Sequence, residues 1–264
     1  MYPQHNYHLV DPSPWPFLSS WSLFYITIGG ASFFHFFIKG LRLFEIGVIL
    51  LITILIFWWR DVVREGTFTF HHTLEVQKSL RMGMVLFIVS EVLFFFAFFW
   101  AFFHSSLAPS HVLGCYWPPA HLDVFSPFQI PLLNTCLLLS SGATITLAHH
   151  ALIAKNREIG TQALIATIVF AFLFTLIQGY EYFEAPFDIS DGIYASTFYL
   201  ATGFHGLHVI IGTIFIIVSF ARYRAFHFTP KNHFGFEAAA WYWHFVDVVW
   251  LFLFVSIYYW GNLD

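Results

Sequence analysis

The chain has 264 residues, 58% of them hydrophobic and 22% aromatic, and only 10% are charged. A water-soluble domain carries about a quarter charged residues, so this chain cannot cover a water-facing surface and reads as an integral membrane protein. The formal net charge of −4 says less than where the charges fall. Cys115 and Cys136 form no CxxC or CxxxC pair, so neither a disulfide framework nor a thiolate metal site is suggested. No P-loop, dinucleotide fingerprint, serine triad or nucleic-acid-binding pattern is present. Gly203 and Gly206 lie in an apolar stretch, where glycine serves close helix packing.

The N-terminal segment MYPQHNYHLVDPSPWP has no Lys or Arg, so it is neither a basic signal peptide nor an Arg-rich transit peptide. The expectation is a protein made close to its membrane. Apolar segments long enough to cross a bilayer fall at about 15–38, 43–59, 82–107, 131–154, 161–183, 193–221 and 238–260. They lack the period-2 alternation of a membrane β-barrel and are twice the length of a barrel strand. The predicted fold is all-α, a polytopic bundle of seven transmembrane helices forming a single membrane domain over 1–264. The connections follow: Lys39-Gly40, the charged segment Arg60 to Arg81, a Pro-rich stretch, Lys155 to Gly160, an acidic turn from Glu184 to Gly192, and Arg222 to Glu237. Trp58-Trp59 and Tyr258-Tyr259-Trp260 close spans two and seven as interfacial aromatics do. Ser140 and Thr144, with Gly142 and Ala143 between them, give span four a face for close contact.

With seven spans, the N-terminus and the even-numbered connections share one side. Nine of the eleven basic residues lie there: Arg60, Arg64, Lys78, Arg81, Lys155, Arg157, Arg222, Arg224 and Lys231. Only Lys39 and Arg42 lie opposite. The positive-inside rule then predicts an N-terminus on the cytoplasmic or matrix side.

Glu91 is the sharpest candidate for function. It sits in MVLFIVSEVLFFFAFFWAFF (Met84 to Phe103), roughly 15 Å along a helix from Arg81. An acid at that depth is costly unless paired or protonated, and marks a functional site by default. His205 and His208 are three apart and share a helix face, where they could ligate a metal or a haem together with His244. His149 and His150 are adjacent and point apart. Glu91, His205, His208, His244 and Asp247 fall at similar depth and could form a midplane polar network. That network would serve as a proton relay or as interhelical glue worth about 1 kcal/mol per bond. His244 and Asp247, also three apart, could pair. Arg60 to Arg81 mixes basic and aromatic groups suited to lipid head groups, or is an ordinary charged loop.

Five segments carry a resemblance: SEVLFFFAFFWAFFHSSLAP (Ser90 to Pro109), WWRDVVREGTF (Trp58 to Phe68), EAPFDISDGIY (Glu184 to Tyr194), ATGFHGLHVIIGT (Ala201 to Thr213) and HFGFEAAAWYWHFVDVVWLFLFVSIYYWG (His233 to Gly261). Together they closely resemble subunit III of the haem-copper cytochrome c oxidases, mitochondrial type. The likeness runs from YHLVDPSPWP to the C-terminus and is weakest in spans one and two and around 110–130.

The resemblance implies helices one and two set apart from helices three to seven by a V-shaped, phospholipid-filled cleft. It implies a chain in the mitochondrial inner membrane, with its N-terminus on the matrix side and its C-terminus on the intermembrane-space side. By the same likeness the subunit has no catalytic residue and no metal of its own, haem and copper lying in partner subunits. Trp59, Arg64, Glu65, His72, Arg81, Trp100 and Arg222 match the family's lipid contacts, and Glu91 its buried carboxylate. The implied partners are catalytic subunit I, subunit II, accessory subunits and phospholipids. The implied function is a non-redox part of the respiratory-chain translocase that reduces oxygen with electrons from cytochrome c and pumps protons. It would support lipid binding, stability and proton uptake. The competing reading from spacing alone is an autonomous proton-coupled transporter with Glu91, His205 and Asp247 as relay.

Overall fold

A computed structural model describes residues 6–111, 114–119 and 122–262. The divergent loop expected at 110–130 is thus only partly within the described residues. Among the described residues seven helices are each long and apolar enough to cross a membrane, and no strand occurs. The chain divides into two compact units, 1–80 and 81–264.

The first unit is built on a hairpin of α1 (Trp15–Phe34) and α2 (Gly40–Thr67). α1 ends four residues before its apolar run does. Phe36 turns left-handed at φ 62°, and the Phe37 amide bonds back to the Ser32 carbonyl at 3.0 Å, the reversed hydrogen bond that closes a helix C-terminus. Hydropathy cannot register that stop, because the residues in the turn are as apolar as those in the helix. α2 errs the other way, running eight residues past the expected end through Arg60 to Thr67. Charges leave the bilayer there, but Arg and Glu are good helix formers, so the backbone continues. The segment expected as a charged loop is therefore mostly helix, with only 68–73 between α2 and the start of α3 (Leu74–Leu107).

Small residues let α1 and α2 touch. A Cβ on Gly47 would lie 2.8 Å from the Ile26 backbone nitrogen, and one on Gly29 would strike the backbone of Phe44. Backbone approach of this kind drives helix pairing in lipid, where apolar area alone gives no preference. At the far end of the hairpin Trp15 Nε1 donates to Asp61 Oδ2 at 2.7 Å. The N-terminal arm is held by His8, whose Nε2 lies 3.4 Å from Glu65 Oε2 and whose ring meets those of His71 and His72.

The second unit holds the rest of α3 with α4 (Ile130–Ile153), α5 (Arg157–Phe183), α6 (Ile193–Arg224) and α7 (Phe234–Leu253). α7 continues as a π-helical turn at Phe254–Tyr259 and a 3-10 turn at Trp260–Asn262. Asn156 caps α5 by accepting from the Ile159 amide, just after Lys155 takes the left-handed conformation that ends α4. α7 forms the core: 61% of its spanning window is enclosed, against 33–39% for α4, α5 and α6. Its indoles are tied to α4, with Trp243 Nε1 donating to Ser141 Oγ at 2.8 Å and Trp250 Nε1 to Thr135 Oγ1 at 2.9 Å.

Two expectations change here. The contact face of α4 is Ser141, Gly142 and Thr144, while Ser140 and Ala143 point outward. Gly142 makes room for the Asp247 carboxylate, and Thr144 meets Thr167 of α5 at 2.8 Å. One residue of a 3.6-residue turn is enough to rotate a small side chain out of the seam. Tyr258, expected at the membrane interface, is buried; the π-helical turn carries it inward.

Candidate functional site

Glu91 lies in the second unit, and its carboxylate meets His208 of α6. His208 Nε2 stands 2.9 Å from Glu91 Oε2, and the Glu91 side chain is 22% exposed. His208 Nδ1 is 2.6 Å from the Phe204 carbonyl. A carbonyl can only accept, so Nδ1 carries a proton. The contact between Nε2 and the carboxyl needs one further proton, held either by the ring or by the acid. In both arrangements the pair is electrically neutral, which removes most of the cost of an acid at this depth. The rings of Phe94, Phe95, Tyr242 and Phe245 surround the imidazole.

The other members of the expected midplane layer do not join this pair. His205 Nε2 donates to the Val246 carbonyl at 3.2 Å, and its ring packs on Phe174 and Trp250. His244 Nδ1 faces Asp247 Oδ2 at 3.7 Å, with the His244 side chain 45% exposed. Thr146 gives its hydroxyl hydrogen to the Gly142 carbonyl, so His244 Nε2 donates to Thr146 Oγ1 at 3.2 Å. The layer is thus two separate acid–imidazole pairs plus one imidazole bonded to backbone. Glu91, His205 and Asp247 each have a different partner and form no chain.

The residues matched to lipid contacts fall in both units. In the first, Trp59 and Arg64 are exposed on the last turns of α2, and Glu65 and His72 are half-buried beside His8. In the second, Trp100 is exposed on α3. Arg81 is engaged: its Nε donates to Glu237 Oε2 at 2.8 Å and its Nη2 to Oε1 at 3.3 Å. Arg222 lies over the Phe228 ring at 4.5 Å, and a Cβ on Gly235 would strike its guanidinium.

Two features escaped the sequence. Glu181, near the C-terminal end of α5, is fully buried, and neither carboxylate oxygen has a hydrogen-bond partner among the described residues. The Tyr258 hydroxyl lies beside it, short of a well-formed hydrogen bond. One helical turn back, Gln178 accepts from Asn134 at 3.2 Å. In the sequence Glu181 sits between two tyrosines just before an acidic turn, and reads as one more interfacial charge. The second feature joins His149 of α4, His233 and Glu237, whose ligand-type atoms all lie within 4.8 Å of one another. His150, expected to point away from His149, is not among the three, and neither residue's spacing along the chain points to His233.

The sequence profile described as Cytochrome c oxidase subunit III matches residues 5–262. The chain belongs to the cytochrome c oxidase subunit III family. It is 60% identical over 259 residues to the protein named cytochrome c oxidase subunit 3 from Prototheca wickerhamii, covering 98% of this chain and 99% of that one. The proteins of the same name from Arabidopsis thaliana and Oncorhynchus mykiss are each 58% identical, with 98% of both chains covered. As a subunit III, the chain is one part of a multi-subunit respiratory oxidase whose haem and copper sit in other subunits, and it is an inner-membrane protein. The autonomous-transporter reading finds no support, and the separate partners of Glu91, His205 and Asp247 give it no relay.

Proposed function

We propose that this subunit III supports the oxidase without performing its redox step: it binds phospholipids, packs on catalytic subunit I beside subunit II and accessory subunits, and sustains proton uptake by the catalytic subunit. The complex to which it would contribute passes electrons from cytochrome c to oxygen and moves protons outward across the mitochondrial inner membrane. The N-terminus and the nine basic residues of the even-numbered connections lie on the matrix side in this reading, and the C-terminus on the intermembrane-space side.

The observation that carries the supporting role is the neutral Glu91–His208 pair. A carboxyl that shares one proton with a fixed imidazole is suited to a stable interior contact between α3 and α6. Outward from that pair α3 presents Leu86, Val89, Leu93, Phe96 and Trp100, all exposed, a surface suited to acyl chains. Trp59 and Arg64 offer an indole and a guanidinium for head groups at the end of α2.

Replacement of Glu91 by Gln in the assembled oxidase tests the reading. The expected outcome is an unchanged haem spectrum and initial turnover, with fewer phospholipids retained per complex and a shorter active lifetime. Unchanged lipid content and lifetime would remove Glu91 from the supporting role. Identifying the polypeptides that co-purify in mild detergent tests the proposed partners directly.

A further inference from the structure

We propose that His149, His233 and Glu237 form a binding site for a divalent transition-metal ion of the Zn2+ type, at the end of the second unit where α4 finishes and α7 begins. The three side chains come from the last turns of α4, the residue preceding α7 and the first turn of α7. His149 Nε2 lies 3.1 Å from His233 Nε2, and His233 Nε2 lies 3.3 Å from Glu237 Oε1. Ligand atoms on a tetrahedral zinc at bond lengths of about 2.0–2.1 Å stand roughly 3.3 Å apart. Two of the three ligand-to-ligand distances already match those of a tetrahedral shell, and the third is within 4.8 Å.

The outer groups orient the ligands as metal sites require. His233 Nδ1 is 2.9 Å from the Thr229 carbonyl, so Nδ1 holds a proton and Nε2 is the nitrogen that faces the other two side chains. A backbone carbonyl on the distal nitrogen is the usual device for fixing a ligating histidine. Glu237 is held in the same way by Arg81. The closer guanidinium contact, 2.8 Å, is to Oε2, and the looser one, 3.3 Å, is to the Oε1 that faces His233.

Two imidazoles and one carboxylate without a thiolate suit zinc or another borderline ion better than magnesium or calcium, which prefer all-oxygen shells. Three protein ligands leave a fourth position for water. The His233 side chain is 6% exposed and that of Glu237 14%, while His149 is half-buried and leaves an approach from the end of the bundle. Without metal, one proton bridges the two Nε2 atoms at 3.1 Å; the ion would take that proton's place and tie α4 to the start of α7.

The test uses the intact oxidase, stripped with a chelator, equilibrated with Zn2+ and freed of excess, with zinc counted per haem. His149→Ala should lose one equivalent of zinc at unchanged haem content, and His149→Cys, which restores a ligand, should regain it. Equal zinc counts in the wild-type and His149→Ala complexes would overturn the site. A cryo-EM map of the zinc-equilibrated wild-type complex decides the matter without any variant. Density about 2.0–2.2 Å from the three ligand atoms supports the proposal, and its absence at saturating zinc refutes it.

Discussion

His208 illustrates how a single neighbour changes the meaning of a residue. Glu91 is visible in the sequence because an acid stands out in an almost wholly apolar stretch, and the proton it shares with His208 is what makes it tolerable. Truncating one member strands the other. Glu91→Ala should therefore lower the stability of the complex by about 1–3 kcal/mol, the penalty for a polar group left without its partner. The double variant Glu91→Ala with His208→Ala should cost less than the sum of the singles. Thermal denaturation of the four complexes measures the coupling, and strict additivity would mean that the 2.9 Å contact carries no energy. Glu181 makes the opposite case. Fully enclosed and, among the described residues, paired with no basic group, it is expected to be neutral, because an isolated ionised carboxyl in an apolar interior is prohibitively costly. Infrared spectra of the wild type should contain a protonated-carboxyl band that disappears in Glu181→Gln.

At the scale of elements, backbone contact decides which helices associate. Gly142 is the clearest instance, because a Cβ there would stand 2.5 Å from Asp247 Oδ2. Gly142→Ala should push α7 from α4 or displace the Asp247 carboxylate, at about 1–3 kcal/mol for overpacking. Ala143→Ser on the outward face should be nearly silent. Comparing the thermal midpoints of the two variants tests whether the seam has been assigned to the right face. The number of helices and most of their order could be read from hydropathy, since each span is a run of apolar residues closed by charge. Their ends could not. α1 stops inside an apolar run because Phe36 turns left-handed, and α2 continues through charge because Arg and Glu favour helix. Hydropathy measures the preference for lipid, whereas helix ends are set by backbone hydrogen bonds, and the two coincide only where a charge and a cap fall together.

Over the whole molecule, the sidedness of the basic residues is the main prediction to test. With Cys115 and Cys136, both exposed, first replaced, a cysteine at Glu158 should react with an impermeant reagent from the side of the N-terminus, and one at Ser190 from the opposite side. Labelling of both from one side would contradict seven crossings. Composition thus determined by itself that the chain is a seven-helix membrane protein, because transfer into lipid depends on each segment's own residues; the orientation read from charge placement is what this labelling tests. The long-range contacts were decided only by tertiary structure. Glu91 meets His208 across 117 positions, Arg81 meets Glu237 across 156, and His149 meets His233 across 84. Pairings at such separations depend on how each helix is rotated about its axis. That rotation is set by the fit of glycines, indoles and hydroxyls on neighbouring helices, which no property of one segment contains.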